Sequence, residues 1–283
     1  MSARNGVVET FGALLIGRRD ALGTINPKSG AHSIERTIIT DETILRHLDG
    51  RASLGSFPLW PPDDDTDAPV WPCRWGCIDL DIKVKDGKGY RIDAERLRAV
   101  LPVARALVYV ARRRGVTLHI ERTKAREGQP GGGHLWMFAP EPVPADAVIV
   151  TLREILRDTA QTAHGADLAL FGGPEAVEIF PKQPGAAHLK DKLGNFVDLP
   201  LFGATNGTKE RHFVDITTGE PYPDQLAHLA AIHSSGRTPV SALSTVEAPK
   251  PASAPTAKRT TPPIGSGRPS AEGVAERLRV AVA

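Results

Sequence analysis

The stretch "CIDLDIK", Cys77–Lys83, alternates so that Ile78, Leu80 and Ile82 fall on one face of a predicted strand and Cys77, Asp79 and Asp81 on the other. Apolar spacing then changes to the helical period over Asp93–Arg114. An aspartate opens that run, arginines fill its last turn and Gly115 stops it, while Pro102 predicts a kink or a split. Two further alternating runs, "VTLHIERTK" and "HLWMFAP", flank the glycine-rich "AREGQPGGG" and predict a strand pair. A second helix is predicted from Ala145 to Ala163, after Pro144, and a fourth strand at "AVEIF".

The predicted order, β-α-β-β-α-β, is that of the split βαβ or ferredoxin-like unit, an α+β fold in which both helices cover one face of a four-stranded sheet. In that topology the first strand is central, between the third and the fourth. His134 and Trp136 then share one face of the third strand, with Leu135 and Met137 opposite, and Glu178 on the fourth lies between Val177 and Ile179. The faces turned away from the helices bring Asp79, Asp81, His134 and Glu178 together on an open side of the sheet. Carboxylates on neighbouring same-face positions repel, and a divalent cation between them relieves the repulsion. Two solvated aspartates on an exposed strand face are the alternative. Three carboxylates and a histidine suit a two-metal phosphoryl-transfer site, with ions about 3.5–4 Å apart.

Outside this region the pattern weakens. "PPDDDTDAP" is a loop signal that separates an N-terminal α/β module, residues 1–70, from a catalytic module, residues 71–233. From Ser234 the chain is rich in Pro, Ser, Thr and Ala with almost no large apolar residue, so 234–283 is predicted to be a disordered tail. Its last residues, "AEGVAERLRVAVA", predict a short amphipathic helix that frays.

The 283 residues are 41% hydrophobic, enough for real cores. No apolar run approaches the roughly 20 residues that span a bilayer, and the N-terminal apolar stretch is too short and interrupted for a signal peptide. The expectation is a cytoplasmic protein without a membrane segment. Cys73 and Cys77 have no second pair to complete a zinc site and are read as reduced thiols. The formal charge is +2, but 234–283 holds seven basic and three acidic residues, which leaves about −2 on the rest. Bulk positive charge is therefore not what would hold this chain on duplex DNA. Arg112, Arg113 and Arg114 suit the C-terminal end of a helix dipole.

"CIDLDIK", "GGGHLWMF" and "VEIFPKQ" resemble the three catalytic motifs of the archaeo-eukaryotic primase superfamily: D-x-D, then S-x-H, then a hydrophobic residue followed by a carboxylate. The likeness is to the primase-polymerases of TOTE conflict systems and to CRISPR-associated primase-polymerases, and "ILRHLDGRASLGSFPL" and "LGNFVDLPLFG" share it. It covers roughly Phe11 to Asp224. The resemblance implies a primase-polymerase core of cytoplasmic, prokaryotic or phage-encoded origin, with Mg2+ or Mn2+ held by Asp79, Asp81 and Glu178. It implies contact between His134 and the incoming triphosphate. Gly132 stands where the family has serine, so any role of that hydroxyl is lost or replaced; Gly132 and Gly133 can bring backbone N–H groups to phosphate oxygens or simply form a loop. Lys182, ahead of Lys190 and Lys192, is placed to neutralise phosphates, and Asn195 matches a binding position. The implied partners are a single-stranded DNA template, nucleoside triphosphates, and a helicase, nuclease or repair protein on another chain. Two other readings stay open: a non-catalytic single-stranded nucleic-acid module, though such sheets present aromatics rather than acids, and a two-metal nuclease or phosphodiesterase.

Overall fold

The computed structural model describes residues 3–25, 31–62, 67–87, 89–123, 131–189, 192–207 and 211–244. In chain order the elements are α1 (Ala3–Leu15), β1 (Leu22–Ile25), β2 (His32–Glu35), α2 (Asp41–Leu48), β3 (Gly55–Ser56), β4 (Pro72–Leu80), β5 (Lys83–Asp86) and β6 (Gly89–Ile92). There follow α3 (Ala94–Arg113), β7 (His119–Arg122), β8 (Gly133–Pro144), α4 (Ala145–Ala160) and a 3-10 helix (Ala163–Phe171). The last elements are β9 (Glu178–Phe180), β10 (Val197–Asp198), β11 (His212–Phe213), α5 (Gln225–Ser235) and a 3-10 turn (Val240–Ala242).

Antiparallel pairing orders the main sheet β11-β7-β8-β4-β9. Within it, β4, α3, β7, β8, α4 and β9 form the expected β-α-β-β-α-β unit, with the first strand between the third and the fourth. β11 lengthens the sheet beyond β7. A second sheet, β10-β3-β1-β2, joins the N-terminal strands to one that follows β9, and β5 pairs with β6 alone.

One face of the main sheet carries Ile78, Leu80, Leu135, Met137 and Ile179, packed against Val100, Val103 and Leu107 of α3 and Val148, Leu152 and Ile155 of α4. Asp93 starts α3 by accepting the Glu95 and Arg96 N–H groups at 3.0 Å each. Gly115, at φ +75°, follows its end, a backbone region that a side chain disfavours. Pro102 does not split the helix, which runs unbroken for 20 residues. A helical proline loses one hydrogen bond and crowds a carbonyl, at about 3 kcal/mol; burying Val100, Val103 and Leu107, at roughly 1.5–3 kcal/mol each, outweighs it.

The opposite face is open only at one end. Trp75, Cys77, Trp136, Phe138 and Phe213 are buried there with Phe11, Leu14 and Leu15 of α1 and Leu229 and Ile232 of α5. Phe11, Leu14, Ile44, Leu48 and Leu54, all from the first 70 residues, thus share a core with the sheet. The packed chain also runs past residue 233. Thr238 is fully buried, donates its N–H to the Phe138 carbonyl at 2.7 Å and accepts the Thr117 N–H at 3.1 Å. Leu243 joins the core, and the Ser244 N–H donates to Thr151 Oγ1 at 2.8 Å. Hydrogen bonds of small polar residues hold this segment, and a composition argument passes over such residues. The remainder of the predicted tail, from 245 on, lies outside the described residues. No described helix is long and apolar enough to cross a membrane, and Cys73 and Cys77 are free and buried.

Candidate active site

Register in the main sheet sets Glu121 opposite His134, His134 opposite Asp79, and Asp79 opposite Glu178. Directly opposed residues of antiparallel strands share a face. The four side chains therefore form a row across β7, β8, β4 and β9, continued at the β7 side by Phe213. Side-chain exposure climbs along the row from 0% at Glu121 through 12% at His134 and 22% at Asp79 to 55% at Glu178. The site is dry at one end and meets water at the β9 edge.

Glu121 anchors the dry end. Its Oε2 accepts the Trp136 indole N–H at 2.7 Å and lies 3.1 Å from His134 Nδ1, which leaves His134 Nε2 facing Asp79 Oδ1 at 3.7 Å. Burial works against a charged His134, but the negative charges of Glu121 and Asp79 outweigh it and raise the imidazole pKa to about 9. His134 is a cation at neutral pH. Burial also raises the Asp79 carboxyl to about 6; Asp81, Glu178 and Glu121 push the same way, and the His134 charge opposes them.

Asp81 is not on the strand that its alternation predicts. β4 ends at Leu80, and the exposed Asp81 carboxylate accepts the Lys83 N–H at 2.9 Å. A side chain that bonds the backbone two residues on competes with the ladder and ends it. Glu178 pairs through Oε2 with Lys182 Nζ at 2.9 Å, and the same ammonium sits 5.0 Å from the centroid of the Phe180 ring.

Magnesium and manganese take hard oxygen donors, and Asp79, Asp81 and Glu178 supply them. The Asp79 pKa is raised first by burial and then by Asp81, Glu178 and Glu121, and a cation at this carboxylate would oppose both. Among the described residues, no three His, Cys, Asp or Glu side chains converge as a set that could hold one ion. Lys182 holds Glu178 and the Lys83 backbone holds Asp81. The donor chemistry suits such an ion, but the three carboxylates do not converge on one point as they stand.

The other predicted residues stand further back. Gly132 and Gly133 are buried: a Cβ at Gly132 would lie 2.5 Å from the Leu80 carbonyl oxygen, and one at Gly133 2.9 Å from Val100 Cγ1. What the structure shows of them is close strand packing. Asn195 is exposed on the approach to β10, a strand of the second sheet. Lys192 pairs with Asp67 at 2.9 Å, and Lys190 lies outside the described residues. Arg114 bonds Glu154 and Asp158 of α4, the structural part expected of that arginine run.

Two residues of this neighbourhood escape a reading of the sequence. In "HIER" the core position of Ile120 already turns Glu121 to the other face, but only the register, concealed in the length of the glycine-rich connection, sets it beside His134. Arg211 gives no signal at all. Only 9% exposed and at φ +56°, it pairs with Asp198 at 3.3 Å, and its charge opposes protonation of His134.

No curated protein matches the chain. A family model described as the archaeo-eukaryotic primase domain of TOTE conflict systems matches residues 26–243, a span that contains the whole main sheet and the row from Asp79 to Glu178. Within that span Asp79, His134 and Glu178 stand side by side on one face of the sheet. The chain therefore belongs to the archaeo-eukaryotic primase domain family of TOTE conflict systems.

Proposed function

We propose that this chain is a primase-polymerase that joins nucleotides along a single-stranded DNA template with two divalent ions, Mg2+ or Mn2+. Family membership supports primase-like nucleotidyl transfer in general. The observation that carries the finer reading is the adjacency of His134, Asp79 and Glu178 on one rung of the sheet. Asp79, Asp81 and Glu178 would hold the ions, which when bound lower the charge barrier between the 3′-hydroxyl and the triphosphate.

The chain's own groups bind and orient. His134, kept cationic by Glu121 and Asp79, offers Nε2–H to a phosphate oxygen. Glu121 fixes the ring through Nδ1, so the imidazole meets the triphosphate already aligned. Lys182 neutralises Glu178; with an ion held by that carboxylate, its ammonium would be free to serve the phosphates. No protein nucleophile is required.

The test supplies unprimed and primed single-stranded DNA, labelled nucleotides and magnesium or manganese, and resolves products on a gel. New or extended chains that follow the template are expected. Shortening of the DNA without added triphosphate would make the site a nuclease, and binding without any product would leave a non-catalytic module.

A further inference from the structure

The hairpin of β5 and β6 leaves the central strand directly after Asp81 and pairs with no other described strand. Its register sets Lys83 opposite Ile92 and Lys85 opposite Tyr90, so these four side chains share one face. All four are exposed, Tyr90 by 74% and Ile92 by 39%. Among the described residues neither lysine has an ion-pair partner and the Tyr90 ring has no ring or cation partner.

A two-stranded hairpin is marginal in water on its own, yet this one is tied to the site. Asp81 accepts the Lys83 N–H at 2.9 Å, the Arg96 guanidinium donates to the Asp81 carbonyl at 3.3 Å, and the Asp93 N–H donates to the Ile82 carbonyl at 2.8 Å. The base of the hairpin therefore stands at a fixed place beside Asp81. The face offers two unpaired cations and an exposed phenol ring, which is the chemistry that recognises a polyanion with stackable bases.

Resting on the function proposed above, we infer that this face of the hairpin grips single-stranded DNA where it enters the site. Tyr90 stacks on a base, and Lys83 and Lys85 hold backbone phosphates. The preference for a single strand follows from the ring, because a base inside a duplex offers no free face.

The experiment measures anisotropy of a fluorescent single-stranded oligonucleotide, with the full chain in chelator, over a salt series. Lys83→Ala with Lys85→Ala should flatten the slope of log affinity against log salt by about 1.4, from roughly 0.7 per single-strand phosphate contact. Tyr90→Ala should weaken binding by about 10-fold or more with the slope unchanged, since stacking is not a salt-dependent contact, and Tyr90→Phe should restore it. Circular dichroism melts confirm that each variant is folded. Variants that bind like the wild type while the wild type still incorporates nucleotides would overturn the hairpin's part and leave the proposed function standing. A wild type that neither binds single strands nor incorporates nucleotides would overturn both, and a Tyr90→Phe variant as weak as Tyr90→Ala would rule out stacking.

Discussion

Replacing Asp79 by Asn should make the ion-free protein more stable while ending nucleotide incorporation. The side chain is only 22% exposed, and its pKa is raised from 3.8 to about 6, first by burial and then by the neighbouring carboxylates. At about 1.4 kcal/mol per unit, keeping this group charged costs the folded state about 3 kcal/mol. Between those two values the folded state binds the proton more tightly than the unfolded chain. Stability therefore falls as pH rises through that window, and the cost is complete above it. Asparagine removes that cost, in which the attraction to His134 is already counted, so the gain is up to about 3 kcal/mol. For a folded body of this size that is a rise in Tm of up to about 12 °C. Thermal melts in chelator at pH 8 read it directly, and the gap between variant and wild type should close as the pH is lowered toward 4. With Mn2+ at about 100 times its Kd the wild type should gain about 2.7 kcal/mol, and the variant much less. A variant that melts below the wild type at pH 8, or that incorporates nucleotides at a near wild-type rate, would refute the reasoning.

His47 is fully buried, with Nε2 2.8 Å from the Pro200 carbonyl and Nδ1 accepting the Leu54 N–H at 3.0 Å, and burial lowers its pKa to about 4. Its contribution, up to about 3 kcal/mol, is present above pH 6.5 and is lost as pH falls through 4; an imidazole resonance, assigned with a His47→Gln variant, should stay neutral from pH 8 to 5, and titration near 6.5 would contradict this. Glu121→Leu strands the Trp136 indole N–H at about 1–3 kcal/mol and frees the His134 ring. Its apparent KM for nucleoside triphosphate should rise as in His134→Ala, while Glu121→Gln, which keeps an acceptor oxygen for the indole but loses the charge that holds His134 cationic, should regain the stability and not the KM; wild-type stability and KM in the Leu variant would remove Glu121 from the site. Truncation after Gly236 loses the Thr238 hydrogen bonds and Leu243, worth several kcal/mol together, so Tm should fall well below that of a chain ending at Ser244, and equal melting would show that the segment is not packed.

Much of the main sheet is legible because each of its central strands alternates and each helix has its own apolar stripe. "CIDLDIK" and "HLWMF" expose their faces residue by residue, and topology then makes neighbours of Asp79, His134 and Glu178. What is not legible depends on register or on distant cover. Glu121 reaches His134 through a pairing that no local pattern encodes, and Asp81 leaves its strand because a single side-chain bond to Lys83 ends the ladder. The β5–β6 hairpin had a usable signal, the alternating "KVKDGKGYRI" around Asp-Gly, which continuation of the strand "CIDLDIK" masks. Burial of Trp75 and Trp136 under α1 and α5 involves residues 60 or more positions away in the chain, beyond any window of periodicity.

That cover also fixes an order of events during synthesis. β4 and β8 can pair once the chain has emerged to about Pro144, but the residues that seal their aromatic side arrive with Phe213, Leu229 and Ile232, near the end of the described chain. For the time needed to translate some 90 residues, several seconds at about 5–20 residues per second, Trp75, Trp136 and Phe138 have α1 but not α5 against them. Half of a hydrophobic layer then faces the cell. The last stretch before Ser244 thus acts as a closing seam, and a ribosome that stalls ahead of it leaves a nascent chain with a sticky flank. Mutations in α5, remote from every carboxylate of the site, should show themselves as lost yield before they show themselves as lost catalysis.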